Sequence, residues 1–172
     1  LTMVNFENDD SVILGLKDGH DGAVALIIGN HLEFSVEAEK DNGLRFSSVT
    51  PDVLLKIFHM FNKPVDIVAQ SGWSRGQSSE SDTIGAGYSG LTQILNQKRS
   101  IFGRDVTYFS SSHERSHLLC GYGLSPFPQG QPCYALLWEG YFGAFYRIDE
   151  NVNISKLGSA LENPGDRFAF LY

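Results

Sequence analysis

Twice in 172 residues the sequence sets three short apolar runs one after another, joined by turns too tight to hold a helix. The first triplet is Ser11 to Lys17, Ala23 to Ile28 and His31 to Ala38, with Asp18-Gly19-His20-Asp21-Gly22 and Gly29-Asn30 as its turns. The second is Cys133 to Trp138, Ala144 to Ile148 and Ile154 to Leu157, with Glu139-Gly140-Tyr141-Phe142-Gly143 between its first two members. Runs rich in β-branched and aromatic residues, bounded by Gly, Asn and Asp, read as strands. Consecutive strands joined by short turns pair antiparallel. Each triplet is therefore expected to be a three-stranded meander.

Between the meanders the pattern alternates. Residues 1 to 10 form a solvated lead-in, and Asp41-Asn42-Gly43 breaks the last strand of the first meander before a loop at Arg45 to Ser48. Thr50-Pro51-Asp52 opens a helix with Pro at its first position, and Val53, Leu54, Ile57, Phe58 and Phe61 give it an apolar face. Val65 to Ala69 reads as a strand, Gln70 to Ser89 as a long irregular loop, Gly90 to Gln97 as a short helix and Lys98 to Arg104 as a polar connector. Asp105 to Phe109 is a further strand. It runs into a helix reaching about Tyr122, and Ser125 to Pro132 is loop.

The resulting α/β order is similar to a ribonuclease H-like lobe of the actin and sugar-kinase class of ATPases, β-β-β-α-β-α-β, followed by the beginning of a second lobe. The expected division is 1–132 for the first lobe and 133–172 for the start of the second. In that architecture the turns at 18–22 and 139–143 face each other, and Gly19, Gly22 and Gly140 would let backbone approach phosphate. Asn163-Pro164 opens a last helix whose apolar residues, through Tyr172, have nothing to cover them. The expectation is a piece of a longer protein.

The charge balance narrows the function. With 13 basic against 20 acidic residues the net charge is -7, and no basic cluster exceeds Lys98-Arg99, so nucleic acid is not an expected partner. Apolar runs are too short to span a bilayer, and a cytoplasmic location is expected. Cys120 and Cys133 lack metal or redox spacing and are expected to be buried, reduced thiols.

The densest chemistry lies in Ser112-His113-Glu114-Arg115-Ser116-His117, directly after a strand. Histidines at i and i+4 on a helix stand about 6 Å apart along the axis and roughly 40° apart around it, so both imidazoles reach one ion. Ser110, Ser111 and Ser112 are all able N-caps, and Glu114 falls in the first turn. Spacing alone is a weak signal, and the alternative is one histidine that caps or packs while the other is solvated.

Taken together, Ile13-Leu14-Gly15-Leu16, His20-Asp21-Gly22-Ala23-Val24-Ala25, Glu37-Ala38-Glu39-Lys40, Gly72-Trp73, His113-x-x-x-His117, Ser125-Pro126-Phe127 and Trp138-Glu139-Gly140 resemble the O-carbamoyltransferases of antibiotic biosynthesis. That family includes the nodulation-factor, nebramycin and hydroxymethylcephem carbamoyltransferases, and the wording here is most similar to the cephem branch.

The resemblance implies two domains. One is similar to the tRNA threonylcarbamoyl-transfer protein. The other, YrdC-like and absent here, makes carbamoyladenylate from carbamoyl phosphate and ATP. The first domain passes the carbamoyl group to a hydroxyl of a small-molecule acceptor. The remaining C-terminal part of the polypeptide is then a required partner, and this piece alone is expected to show no turnover.

By the same resemblance His113 and His117 bind Fe²⁺ or Zn²⁺, and Glu139 stands where the family commonly has aspartate, one methylene longer. His20 is the expected proton acceptor in transfer, and two roles are open to Asp21, orienting His20 or capping the next strand. Lys40 and Arg45 either meet phosphate or substrate charge or are simply solvated. Trp73 and Tyr88 either stack on an acceptor ring or anchor their loop. Competing readings are a non-catalytic nucleotide- or metal-binding module and a relative of the tRNA-modification or hydrogenase-maturation proteins. The lack of a basic surface and of Cys-rich zinc motifs speaks against the last two.

Overall fold

The computed structural model describes residues 10–61, 63–74, 83–101 and 103–171, so the lead-in expected over 1–9 and residues 75–82 of the long loop lie outside the description. Both meanders are present. β1 (Val12–Lys17), β2 (Ala23–Ile28) and β3 (His31–Glu37) pair antiparallel in the order β3-β2-β1. Val12 and Leu14 on β1 and Val24 and Leu26 on β2 are buried on one face.

The third strand ends one residue earlier than expected. Ala38 donates its N–H to the Gly22 carbonyl (2.8 Å) and starts a short helix, α1 (Ala38–Asn42), closed by Gly43 at φ 72°. The Ala-Glu-Lys-Asp run is helix-compatible, and a left-handed glycine stops it.

α2 (Pro51–Met60) begins where Thr50-Pro51 predicts, although Thr50 makes no side-chain cap. Val53 and Ile57, one turn apart, close the core over β1 and β2. Chain then returns as β4 (Ile67–Ser71), parallel to β1. Beyond it the loop holds a two-stranded ribbon, β5 (Trp73–Ser74) and β6 (Thr83–Ile84), not irregular chain alone.

The short helix expected at Gly90 to Gln97 and the connector after it are instead one strand, β7 (Ile94–Ile101). It forms a hairpin with β8 (Arg104–Ser111), turning at Gly103 with φ 73°. β7 carries no apolar period because it is an edge strand whose outer side needs no core residues. Its polar side chains find β8 instead, Lys98 donating to Thr107 Oγ1 (2.8 Å) and Arg99 lying 3.5 Å over the Tyr108 ring.

β8 is parallel to β4, completing a mixed six-stranded sheet in the order β3-β2-β1-β4-β8-β7. α3 (His113–Gly123) follows at once. β9 (Cys133–Trp138), β10 (Gly143–Ile148) and β11 (Ile154–Ser159) form a second sheet, and α4 (Pro164–Ala169) comes last. Asn163 has a left-handed backbone (φ 48°) and makes no side-chain cap, unlike the cap expected of it. Leu118 of α3 packs on Leu137, Ala144 and Tyr146 of the small sheet.

The thiols are not buried as expected: Cys120 is exposed, on the side of α3 away from Leu118 and Tyr122, and Cys133 is half-buried. Among the described residues no helix is long and apolar enough to cross a membrane.

Candidate metal centre

The site is built where β8 stops and α3 starts. Ser112 is the N-cap: its Oγ accepts from the Arg115 N–H (3.2 Å) and donates to the Gly90 carbonyl (2.5 Å). The free N–H groups of the first turn are taken up by the preceding loop, His113 donating to Gly87 O (3.1 Å) and Glu114 to Tyr88 O (3.0 Å). This close approach depends on Gly72, where a Cβ would collide with the carbonyls of Gly87 and Ser111. Gly72 itself donates to Ser111 O (2.7 Å), so Trp73 is delivered directly beside the helix start.

The two histidines turn their Nε2 atoms toward each other, His113 from a buried position and His117 from an exposed one. His113 Nε2 lies 3.1 Å from His117 Nε2 and 3.8 Å from Glu139 Oε2. The three candidate ligand atoms all lie within 4.8 Å of one another, near enough for one divalent ion to gather them once Glu139 turns toward the two nitrogens. Bonds of about 2.05 Å to two nitrogens 3.1 Å apart would subtend about 100°, close to a tetrahedral or octahedral angle. The donor set of two imidazoles and a carboxylate suits Zn²⁺ or Fe²⁺. Residues present therefore fit a metal.

Electrostatics favour the ligand forms. Burial first, then His113, holds the His117 imidazole below its usual value. Burial pushes the Glu139 carboxyl up, but the imidazoles of His113 and His117 and the Gly140 backbone outweigh it, and the net displacement is downward. His113 is buried, its Nδ1 without a hydrogen-bond partner among the described residues.

An aromatic cage fixes the rings. Trp73 meets His113 edge-on at 4.6 Å, and Tyr88 stacks on it at 4.8 Å with 21° between planes. Phe142 stacks on the other side of Tyr88 at 5.3 Å, and the Tyr88 hydroxyl donates to Glu139 Oε1 (3.3 Å). Burial, then the Glu139 charge, raises the Tyr88 phenol well above its ordinary value, so it remains a donor. Both aromatics thus anchor the loop to the histidine.

His20 meets the same indole edge-on, 4.6 Å between the ring centroids. Its Nδ1 is 2.7 Å from Asp21 Oδ2. A carboxylate only accepts, so Nδ1 is the donor of this pair and Nε2 is the ring nitrogen left for other partners. Asp21 makes this contact from a left-handed backbone (φ 54°) that Asp tolerates. Lys17 Nζ donates to the His20 carbonyl and lies 4.9 Å over the Trp73 ring. Burial lowers its ammonium pKa, with Asp21 and Asp18 opposing.

Other expected positions separate. Arg45 lies 5.0 Å over Phe46, itself 6.3 Å from His20, so it borders the same turn. Lys40 is exposed and pairs at 3.7 Å with Glu37 and Glu39, outside the cluster. Gly19 is open toward Trp73, a Cβ there meeting only the indole at 3.9 Å. Gly22 is required for a different reason from phosphate approach: its missing side chain makes room for the backbone of Ser48 and Val49. The Gly140 carbonyl accepts from Gly165 (3.1 Å), and the Gly140 backbone lies close against Gly165, tying the turn to α4. Lys17, Glu114 and Tyr146 went unsuspected as site residues. Lys17 ends a buried strand next to an Asp-Gly turn, the one signal that pointed to it.

The fold and site define a class: an α/β chain holding a candidate metal centre, with a carboxylate-oriented histidine one indole away. No protein-family model matches the chain, and no solved structure matches it. It is 37% identical over 161 residues, 94% of its length, to a 3'-hydroxymethylcephem-O-carbamoyltransferase of Amycolatopsis lactamdurans. The namesake of Streptomyces clavuligerus is 36% identical over 94% of the chain, and nodulation protein U of Rhizobium tropici 31% identical over 80%. The chain is a homologue of these proteins over most of its own length. It spans 31% of the length of the two cephem relatives and 28% of nodulation protein U.

Proposed function

We propose that this chain supplies the acceptor-activating and metal-holding part of an ATP-dependent O-carbamoyltransferase. The acceptor in this reading is a small-molecule hydroxyl of the kind the cephem relatives are named for. The observation that carries it is the placement of His20, held by Asp21, one indole from a cluster of two histidines and a carboxylate. The strand order β3-β2-β1-β4-β8, with β4 and β8 parallel to β1, supports a ribonuclease H-like first lobe over 1–132, and the second meander supports the start of a second lobe over 133–172. Carbamoyladenylate would come from carbamoyl phosphate and ATP on a YrdC-like domain elsewhere in the enzyme.

His113, His117 and Glu139 would hold Fe²⁺ or Zn²⁺, whose chemistry here is Lewis-acid polarisation of an oxygen of the donor. His20 Nε2 takes the proton of the acceptor hydroxyl while that oxygen bonds to the carbamoyl carbon. The carbon–oxygen bond to the adenylate phosphate breaks, leaving AMP and the O-carbamate. Asp21 stabilises the imidazolium through Nδ1–H. Trp73 keeps His20 and the metal ligands at a fixed separation.

In the full-length enzyme, His20→Ala is expected to leave carbamoyl-phosphate-dependent adenylate formation intact and to slow acceptor carbamoylation by roughly 10²–10⁴-fold. Loss of both steps, or of neither, would contradict the assignment.

A further inference from the structure

One buried carboxylate touches both elements that face α3 across the cluster, and it has no place in the chemistry above. Glu114 is 6% exposed in the first turn of α3, beside His113. Its Oε2 accepts the Gly90 N–H at 2.7 Å, and its Oε1 accepts the Tyr146 hydroxyl at 2.6 Å. Gly90 ends the loop whose Tyr88 stacks on His113 and donates to Glu139. Tyr146, wholly buried on β10, pairs across the small sheet with Ala135 of β9, the strand that leads into Glu139. Burying a carboxylate is costly unless each oxygen is satisfied, and here each is satisfied by a different element.

We propose that Glu114 is the positioning residue of the three-ligand centre, one oxygen holding the Tyr88 loop and the other the Glu139-bearing sheet against the two helix histidines. This rests on the metal reading above. Gln keeps one neutral acceptor oxygen for the Gly90 N–H or for Tyr146, and its amide nitrogen can only donate, so Tyr146 must turn to accept from it. Glu114→Gln therefore replaces two charge-assisted bonds by weaker neutral ones and loosens both grips, whereas Tyr146→Phe breaks only the grip on the sheet.

Two readouts test it on the chain as it stands. Titration with Co²⁺, followed by its visible d–d absorption, reports ligand arrangement. The His113 imidazole C–H proton shift, displaced by the stacked Tyr88 ring, reports loop position without any metal. Both variants are expected to bind Co²⁺ at least tenfold more weakly with an altered spectrum, and Glu114→Gln to move the His113 resonance toward its unstacked value. Leu26→Ala, in the core of the large sheet, is the control: it lowers stability yet leaves the spectrum of the folded protein unchanged. Folded Glu114→Gln and Tyr146→Phe with wild-type spectrum, affinity and His113 shift would overturn the proposal. Absence of Co²⁺ binding by the unaltered chain would instead count against the metal reading, and the His113 shift would then decide the role of Glu114 alone.

Discussion

At the scale of single residues, protonation decides whether the cluster is ready to ligate. His117 is held below its ordinary imidazole value of 6.5 by burial and by His113, and Glu139 lies below its ordinary 4.5 because the imidazoles outweigh burial. Both shifts have the same sign: the folded chain binds fewer protons than the unfolded one. Stability is then fully present above the ordinary imidazole value and declines as pH falls below it, because the unfolded state gains protons first. Urea midpoints of the metal-free protein are expected to fall between pH 7.5 and 5.5, and to fall less for His117→Gln. Equal decline in the two proteins would show that His117 contributes none of it. His20 and Asp21 show how much such detail a sequence carries. Two adjacent residues are legible as a histidine and its neighbour, but the 2.7 Å contact between their side chains comes from the geometry of the turn.

At the scale of elements, the helix start is held by backbone approach, and Gly72 is its limiting position. A methyl there meets two carbonyl oxygens, those of Gly87 and Ser111, neither of which can rotate away. Gly72→Ala is expected to cost about 1–3 kcal/mol of unfolding free energy and to weaken Zn²⁺ binding, read by denaturant unfolding and calorimetric titration. Unchanged binding with lowered stability would separate Gly72 from the site. Elements with strong local chemistry were legible: α2 from Thr50-Pro51, α3 from its serine cap, and β9 from Cys133 to Trp138 as the sequence predicts. The strand β7 was not, because an edge strand with polar residues facing solvent leaves no periodic trace. The β5–β6 ribbon was missed for a related reason, two residues per strand being too few for any period.

For the whole molecule, the two meanders behave differently. The first buries one face under α2, whereas the second is apolar on both faces. Leu137, Ala144 and Tyr146 point toward α3, and Tyr134, Leu136, Trp138 and Phe145 point outward, exposed. Strands apolar on both sides are ordinarily covered on both. The isolated chain is therefore expected to bind an apolar dye and self-associate, and Leu136→Lys with Phe145→Lys to suppress both without altering Zn²⁺ binding. Persistence of self-association in that variant would place the sticky surface elsewhere. The sequence pattern disclosed the two meanders and the histidine pair, but not the convergence of residues 17–21, 72–73, 88, 113–117 and 139, which long-range contacts alone create. The most direct test of that convergence is anomalous diffraction at the zinc edge from crystals grown with Zn²⁺. A peak about 2.0–2.2 Å from both His113 Nε2 and His117 Nε2, with Glu139 turned toward it, is the predicted result; zinc bound elsewhere, or imidazoles turned apart, would contradict it.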